Sequence, residues 1–489
     1  MIADAREKPV AGPATGSVLV AERARATVVL RLVGMNAPAL ALFGLVPALV
    51  ALAEGAWMVA LALAPGVGAA LLLWVVARLT RCDEPRPIEG LVSVALSFLL
   101  ACLAIAPGFH ALGMSPVDAL FEAVSGVTTT GLSLAKGPAD WPLAGHVLRA
   151  WSQWLGGFAF IAVALALVIG RGTIARQIGS AEGLAEERAS STRLRAARLL
   201  AAYVVFTLMA VAALVPLACD PVEGLLVALA AVSTGGFSPR ADSLAGESVW
   251  FQSATAVAIF LGALSLARLW SVRSGLGPLV RDGEVRVFAL FILFTLAAVL
   301  MIEWPRDLVA PRDVAFAVVS AHTTAGFSTG PTSDLAPASL IVLAAAMAVG
   351  GCLGSTAGGL KVFRFAFLLS AARLALLRTR IPESAQSYLR VFGRKTAGGE
   401  GTNVMGLVVL YIASLVAVWL LLVVAGVAPM ASFFASVSAL SGVGLSAGGI
   451  AASLPDVAKA GLCVAMLLGR LEFLALIALA APGTWLRRG

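Results

Sequence analysis

The chain is short of charge. Asp, Glu, Lys and Arg make up 13% of its 489 residues, while 60% are hydrophobic and the mean hydropathy is +0.95. A soluble protein of this length needs far more polar surface, so the shortage excludes that class and implies an integral membrane protein surrounded by lipid. Histidine is scarce as well. His110, His146 and His322 show no ligand spacing, so no metal site is expected. The five cysteines, Cys82, Cys102, Cys219, Cys352 and Cys463, show neither paired spacing nor a metal motif. They read as free thiols, and those in apolar stretches as small hydrophobes. Acids and histidines in the apolar stretches are too few and scattered for a nucleophile with its base or a carboxylate cluster, so an enzyme is not expected. The inner side lacks a strand–GxGxxG–helix pattern, so this chain is expected to hold no nucleotide and no cofactor. Residues 1–29 are charged and begin no hydrophobic core, which leaves no cleavable signal peptide.

What is present is apolar length. Stretches of about 20 residues, enough to span a bilayer, occur near 30–53, 56–79, 88–107, 145–170, 196–218, 248–270, 284–303, 337–372, 404–426 and 458–482. The eighth is too long for one straight span and is interrupted by glycines. With the N-terminus inside, most arginines fall on inner loops, including Arg188 to Arg198 and Arg373 to Lys395. The net charge of +8 then describes the inner membrane face, and no basic–aromatic interleaving points to nucleic acid. The outer side carries Asp140, Asp220, Asp242, Glu247, Asp307, Asp334 and Asp456, which would concentrate cations.

One pattern occurs four times, ending at Gly131-Leu132-Ser133, Gly236-Phe237-Ser238, Gly326-Phe327-Ser328 and Gly444-Leu445-Ser446. Fifteen positions before each glycine stands a proline: Pro116, Pro221, Pro311 and Pro429. Thirteen before stand Asp118, Glu223 and Asp313, with Ala431 in the fourth copy; ten before stand Phe121, Leu226, Phe316 and Phe434. Proline suits the first position of a helix, and an acid there favours the positive end of its dipole. Each copy therefore reads as a short helix ending in a loop of small residues that can present carbonyl oxygens. Four such loops around one axis would form a ring for a dehydrated cation. The repeats dictate the architecture: an all-α polytopic membrane protein with four pseudo-symmetric units, each span, pore helix, filter loop, span, around one pore and preceded by two extra spans. The expected divisions are a cytoplasmic arm at 1–29, two leading spans at 30–80, and repeats at 81–175, 176–275, 276–395 and 396–489, the third with a broken second helix.

These motifs, together with Arg149 to Gly157 (RAWSQWLGG), Ser233 to Ser238 (STGGFS), Gly350 to Lys361 (GGCLGSTAGGLK) and Gly469 to Glu472 (GRLE), resemble the Trk/Ktr/HKT superfamily of cation transporters. The two leading spans favour its Trk-type potassium-uptake membrane subunits. The resemblance covers nearly the whole chain from about residue 30. It implies uptake of K+ as the transported ion through a filter of Gly131, Gly236, Gly326 and Gly444. The preceding residues would supply carbonyl ligands: Thr129 and Thr130, Thr234 and Gly235, Thr324 and Ala325, Gly442 and Val443. Sodium-selective members carry serine at a filter glycine, so four glycines favour potassium. The resemblance also implies a gate of Gly350, Gly351, Gly354, Ser355, Thr356, Ala357, Gly358 and Gly359 below the filter, with Arg470 facing the pore and helping to hold it shut. It implies a homodimer with one pore per subunit, a cytosolic nucleotide-binding regulatory ring of the TrkA type, and a bacterial inner-membrane location with both termini cytoplasmic.

The residues leave other readings open. An ion-coupled secondary transporter can also have repeats and broken helices near the midplane, and a weakly selective potassium/sodium channel is the other alternative. Gly442, where the other copies have threonine, removes a hydroxyl from the inner end of the expected ring. His322 reads as a residue packed behind the third loop or as an ion ligand. Lys361 and Arg364 read as pore charges or as ion-pair partners of a neighbour. Arg470 stands within an apolar stretch, where an unpaired arginine costs about 2.5–3.5 kcal/mol.

Overall fold

The computed structural model describes residues 23–80, 84–169, 192–275, 277–380, 389–395 and 400–485. Much of the inner basic segments, including Arg188, and the outer part of the N-terminal arm lie outside the described residues, as does Cys82.

The chain is helical. Two long helices come first, α1 (Ala26–Glu54) and α2 (Trp57–Leu79), packed along each other and turned at Gly55. They are followed by α3 (Pro87–Ala111), α4 (Pro116–Val127) and α5 (Leu143–Ile169). Next come α6 (Thr192–Leu214), α7 (Pro221–Val232), α8 (Val249–Gly262), α9 (Leu266–Ser271) and α10 (Gly277–Arg281). Then follow α11 (Gly283–Glu303), α12 (Pro311–Thr323), α13 (Pro337–Val349) and α14 (Val362–Arg378). A small hairpin pairs Arg390 with Lys395 and Val391 with Arg394. The chain finishes with α15 (Glu400–Val424), α16 (Pro429–Ser441), α17 (Asp456–Arg470), α18 (Leu474–Ala480) and α19 (Pro482–Trp485).

Four short helices, α4, α7, α12 and α16, begin with proline at their first turn. Ser115 caps α4 and Asp220 caps α7 with side-chain oxygens. Their first-turn acids are partnered: Asp118 pairs with Lys459 at 2.7 Å, Glu223 with Arg240 at 2.9 Å, and Asp313 accepts from Thr329 at 2.8 Å. Phe121, Leu226, Phe316 and Phe434 are all buried. Each full burial of such a side chain contributes about 1.5–3 kcal/mol.

The helix after each short helix packs against the next short helix along the chain. So α5 meets α7, α8 meets α12, α13 meets α16, and α17 returns to α4. The cycle closes and puts the C-terminal ends of the four short helices together.

Among the described residues, six helices are long and apolar enough to cross a membrane by themselves; a seventh is the pair α17 and α18, bent by 120°. The sequence leads one to expect a single interrupted span. The structure has three: after Gly262, after Val349 and after Arg470. The last break follows a single glycine, Gly469, which lies against the Leu440 backbone. Glu472 and Phe473 take left-handed φ of 51° and 63° there.

Candidate functional site

Each short helix ends in the same hydrogen-bonded turn. After α4 the Thr129 amide donates to Gly126 at 3.0 Å and the Thr130 amide to Ser125 at 2.9 Å. The same pair of bonds joins Thr234 to Ala231 and Gly235 to Ala230, Thr324 to Ala321 and Ala325 to Ser320, and Gly442 to Ala439 and Val443 to Ser438. This Schellman closure needs a left-handed residue just past the cap. Thr129, Thr234, Thr324 and Gly442 have φ of 56°, 51°, 54° and 63°. A left-handed conformation costs a β-branched residue about 1–2 kcal/mol, and three of the four turns carry that strain. Gly442 adopts it freely.

Two residues on, Gly131, Gly236, Gly326 and Gly444 also have positive φ. A Cβ built on Gly131 would overlap the Gly235 carbonyl oxygen. One on Gly236 would overlap the oxygen of Ala325, one on Gly326 that of Val443, and one on Gly444 that of Thr130. The contacts run once around and return to the start. The four turns thus form a closed ring edged by the carbonyl oxygens of Thr130, Gly235, Ala325 and Val443.

The glycine-rich loop between α13 and α14 lies directly under this ring. Its neck is closed by Leu360 donating to Ala348 and Val362 donating to Gly351. Its base is tied at the break after α8. Cys352 donates to Ala263, the Gly354 carbonyl accepts from Leu266, and Leu353 donates to Glu284 at 2.7 Å. Ser355 turns inward to the Cys352 carbonyl at 2.6 Å, and Lys361 donates to the Ala357 carbonyl. The tip then touches three of the four short helices in turn. The Thr356 hydroxyl is 3.1 Å from the Val232 carbonyl and 3.4 Å from the Thr234 hydroxyl. The Gly358 amide donates to the Thr324 hydroxyl at 2.6 Å, and the Gly359 amide to the Ser441 carbonyl at 2.9 Å. Arg470 completes the circuit. Its guanidinium donates to the Thr356 carbonyl at 2.8 Å and to the Gly156 carbonyl at 3.2 Å. Gly156 itself lies against Val127 at the end of α4. Irregular backbone at membrane depth is tolerated only where protein or a water-filled cavity surrounds it, and this loop is bonded on every side.

Four convergent short helices, a backbone-oxygen ring and a buried loop below it form one assembly, and known proteins are similar to this chain in sequence. The TrkH family of cation transport proteins matches residues 94–271 and 285–485. The chain belongs to the TrkH family. It is 29% identical over 480 residues to the Trk system potassium uptake protein TrkH of Halomonas elongata, covering 94% of this chain and 98% of that protein. TrkH of Escherichia coli K12 is 29% identical over 384 residues, 75% of this chain and 79% of its own length. The crystal structure of the potassium transporter TrkH from Vibrio parahaemolyticus superposes with a TM-score of 0.81 at 25% identity, covering 94% of this chain and 99% of that one. Like its TrkH relatives, the chain is an all-α, multi-pass membrane protein.

Within this TrkH-family chain the turns share a backbone but not their supports. Glu122, buried on α4, accepts from the Ser133 hydroxyl at 2.9 Å and the Leu134 amide at 3.1 Å. Glu122 also lies 3.1 Å from Arg149 on α5, which donates to the Ser238 carbonyl at 2.9 Å and stands over the Phe237 ring. A buried ion pair needs such additional bonds to offset its desolvation. Gln153 supports the second turn, Ser243 the third through the Ser328 amide, and Ser438 the fourth through the Gly444 amide.

The structure bears on several of the sequence readings. Of the three threonines equivalent to Gly442, Thr324 accepts from the Gly358 amide of the loop and the Thr234 hydroxyl lies 3.4 Å from that of Thr356. Arg364 pairs with Glu472 at 2.6 Å across the third break, a neighbour's partner. His322 is packed, its Nε2 at 2.9 Å from the Thr295 hydroxyl and its ring edge-on to Phe288. Arg470 is buried against two carbonyls. Sequence reasoning gave Gln153, Glu122 and Arg149 no roles. For Gln153 a signal existed: Gly235 is the one residue without a side chain immediately before a ring glycine.

Proposed function

We propose that this chain is the membrane subunit of a potassium-uptake system and that K+ crosses through the ring of carbonyl oxygens at Thr130, Gly235, Ala325 and Val443. The closed ring carries this reading. Backbone oxygens arrayed around one axis can replace a cation's hydration shell, and the partially negative ends of four helices converge beside them. The printed names of the curated relatives, potassium uptake proteins, support the choice of ion. An inside-negative potential would contribute about 2.3 kcal/mol per charge per 100 mV to inward movement.

The loop from Gly350 to Gly359 is the gate in this reading. It lies under three of the four turns, and Arg470 holds it to α5. The assembly is a homodimer in a bacterial inner membrane with both termini cytoplasmic, and a separate nucleotide-binding ring docks on the inner loops. That part rests on the family resemblance and on the inner basic segments.

The test is rubidium uptake into liposomes holding the purified protein, with sodium uptake measured in parallel. Gly131→Ser places a side chain where the Gly235 oxygen stands, so sodium entry should rise relative to rubidium. A folded Gly131→Ser protein with the wild-type ratio would overturn the filter assignment.

A further inference from the structure

Gln153 is fully buried on α5 and reaches the ring from behind. Its Oε1 accepts from the Phe237 amide at 3.1 Å, and its Nε2 donates to the Gly235 carbonyl at 2.5 Å. The orientation of the side-chain amide follows from its partners. A backbone N–H can only donate, so Oε1 must face Phe237, which leaves the NH2 group for Gly235. The one side chain therefore bridges the peptides on both sides of Gly236. Among the described residues, the other three ring oxygens, those of Thr130, Ala325 and Val443, accept no side-chain hydrogen bond.

The space is matched to this contact. A Cβ on Gly235 would overlap the Gln153 carboxamide. Gly235 is not among the positive-φ residues, so its backbone would accept alanine, and the three atoms nearest the added Cβ all belong to Gln153. The helix that carries Gln153 is held closely at this level. Gly126 of α4 lies against Ser152, and Gly157 lies against Ser233 at the end of α7.

We propose that Gln153 is a specificity-determining positioning residue of the ring. A carbonyl oxygen has two lone pairs. With one engaged by Gln153, the Gly235 oxygen presents less negative charge to an ion than its three counterparts. Selection between potassium and sodium responds to the number and field strength of coordinating carbonyls. Sodium holds its water more tightly and needs a stronger field to shed it, so weakening one oxygen of four favours the larger ion. The same bridge fixes the depth at which that oxygen sits. This inference rests on the filter reading above.

The test uses full-length protein in liposomes, with rubidium and sodium uptake measured together. Gln153→Met keeps the bulk and removes both hydrogen bonds. One such bond contributes about 1 kcal/mol, or about fivefold in an equilibrium, so the rubidium-to-sodium ratio should fall about fivefold while sodium uptake is kept. A second variant guards against misfolding. Gly235→Ala alone should impair assembly, and Gln153→Ala combined with Gly235→Ala should restore it, giving a turn with the chemistry of the Ala325 turn and the same lowered ratio. A wild-type ratio in either assembled variant overturns the inference. So does an equal loss of both ions, which is what a purely structural glutamine would give. Gly131→Ser in the same liposomes separates the two readings. If its ratio changes and that of Gln153→Met does not, only the role of Gln153 fails; if neither changes, the filter reading fails.

Discussion

The four turns of the ring and the loop beneath them are both glycine-rich and both use left-handed backbone, yet they are held in opposite ways. The defining bonds of each turn run back to its own helix, as from Thr130 to Ser125. Such a turn forms whenever its helix forms. The bonds of the loop tip run to distant elements: Thr356 to Val232, Gly358 to Thr324, Gly359 to Ser441, and Arg470 to Thr356. Each neutral bond contributes about 0.5–1.5 kcal/mol net and can be exchanged for another partner. Moving parts are drawn from regions of low local stability. The difference teaches that a fixed ring and, in the proposed reading, a releasable plug can be made from the same residue type, depending on whether the hydrogen bonds are local or long-range.

Three variants would break or sharpen this contrast. Arg470→Ala has the largest expected effect. Hydrogen bonds to charged groups contribute about 1.5–3 kcal/mol, and this change removes two of them from the plug and α5. Basal rubidium flux without a cytosolic partner should rise about tenfold or more, with the ion ratio unchanged. Flux equal to wild type in a folded variant would make Arg470 a packing residue alone. Thr324→Val comes next. It leaves the turn and takes from the Gly358 amide its hydroxyl acceptor, so flux should rise about fivefold, again at constant ratio. A shifted ratio would mean that the hydroxyl serves the ring after all. Thr129→Gly should do least. Relief of about 1–2 kcal/mol of left-handed strain is offset by about 0.5–1 kcal/mol of glycine backbone entropy. Stability from thermal unfolding in detergent should therefore stay within about 1.5 kcal/mol of wild type. A marked loss of stability would show that the turn depends on its side chain and is not self-sufficient.

The short helices were legible because proline, an acid and a buried apolar residue each follow from local physics that repeats at the same spacing. Pro116 and Pro429 start their helices where the pattern places them. The glycine loop was legible for the same kind of reason, since its composition cannot sustain a helix. The break at Glu472 and Phe473 was not, because two ordinary side chains are driven into left-handed backbone by tertiary packing and by the Arg364 ion pair. Nor were the supports behind the ring. Gln153 and Gly235 are 82 positions apart; Gly235 signals a space behind its turn, but nothing in the local sequence says that Gln153 fills it. The threonines equivalent to Gly442 are a related case. The Thr324 and Thr234 hydroxyls meet a loop that reaches them from another part of the chain.

Every contact that closes the ring joins main chain to main chain. The width of the opening is thus written first in peptide geometry, which all proteins share, and only second in the side chains that back the turns. Inherited changes reach it mainly at the four glycines, at the four left-handed positions and at the few side chains behind the turns, such as Gln153. In the proposed pore, a lineage could therefore revise when the passage opens, what docks beneath it and which lipids surround it, while the width of the passage stays the same.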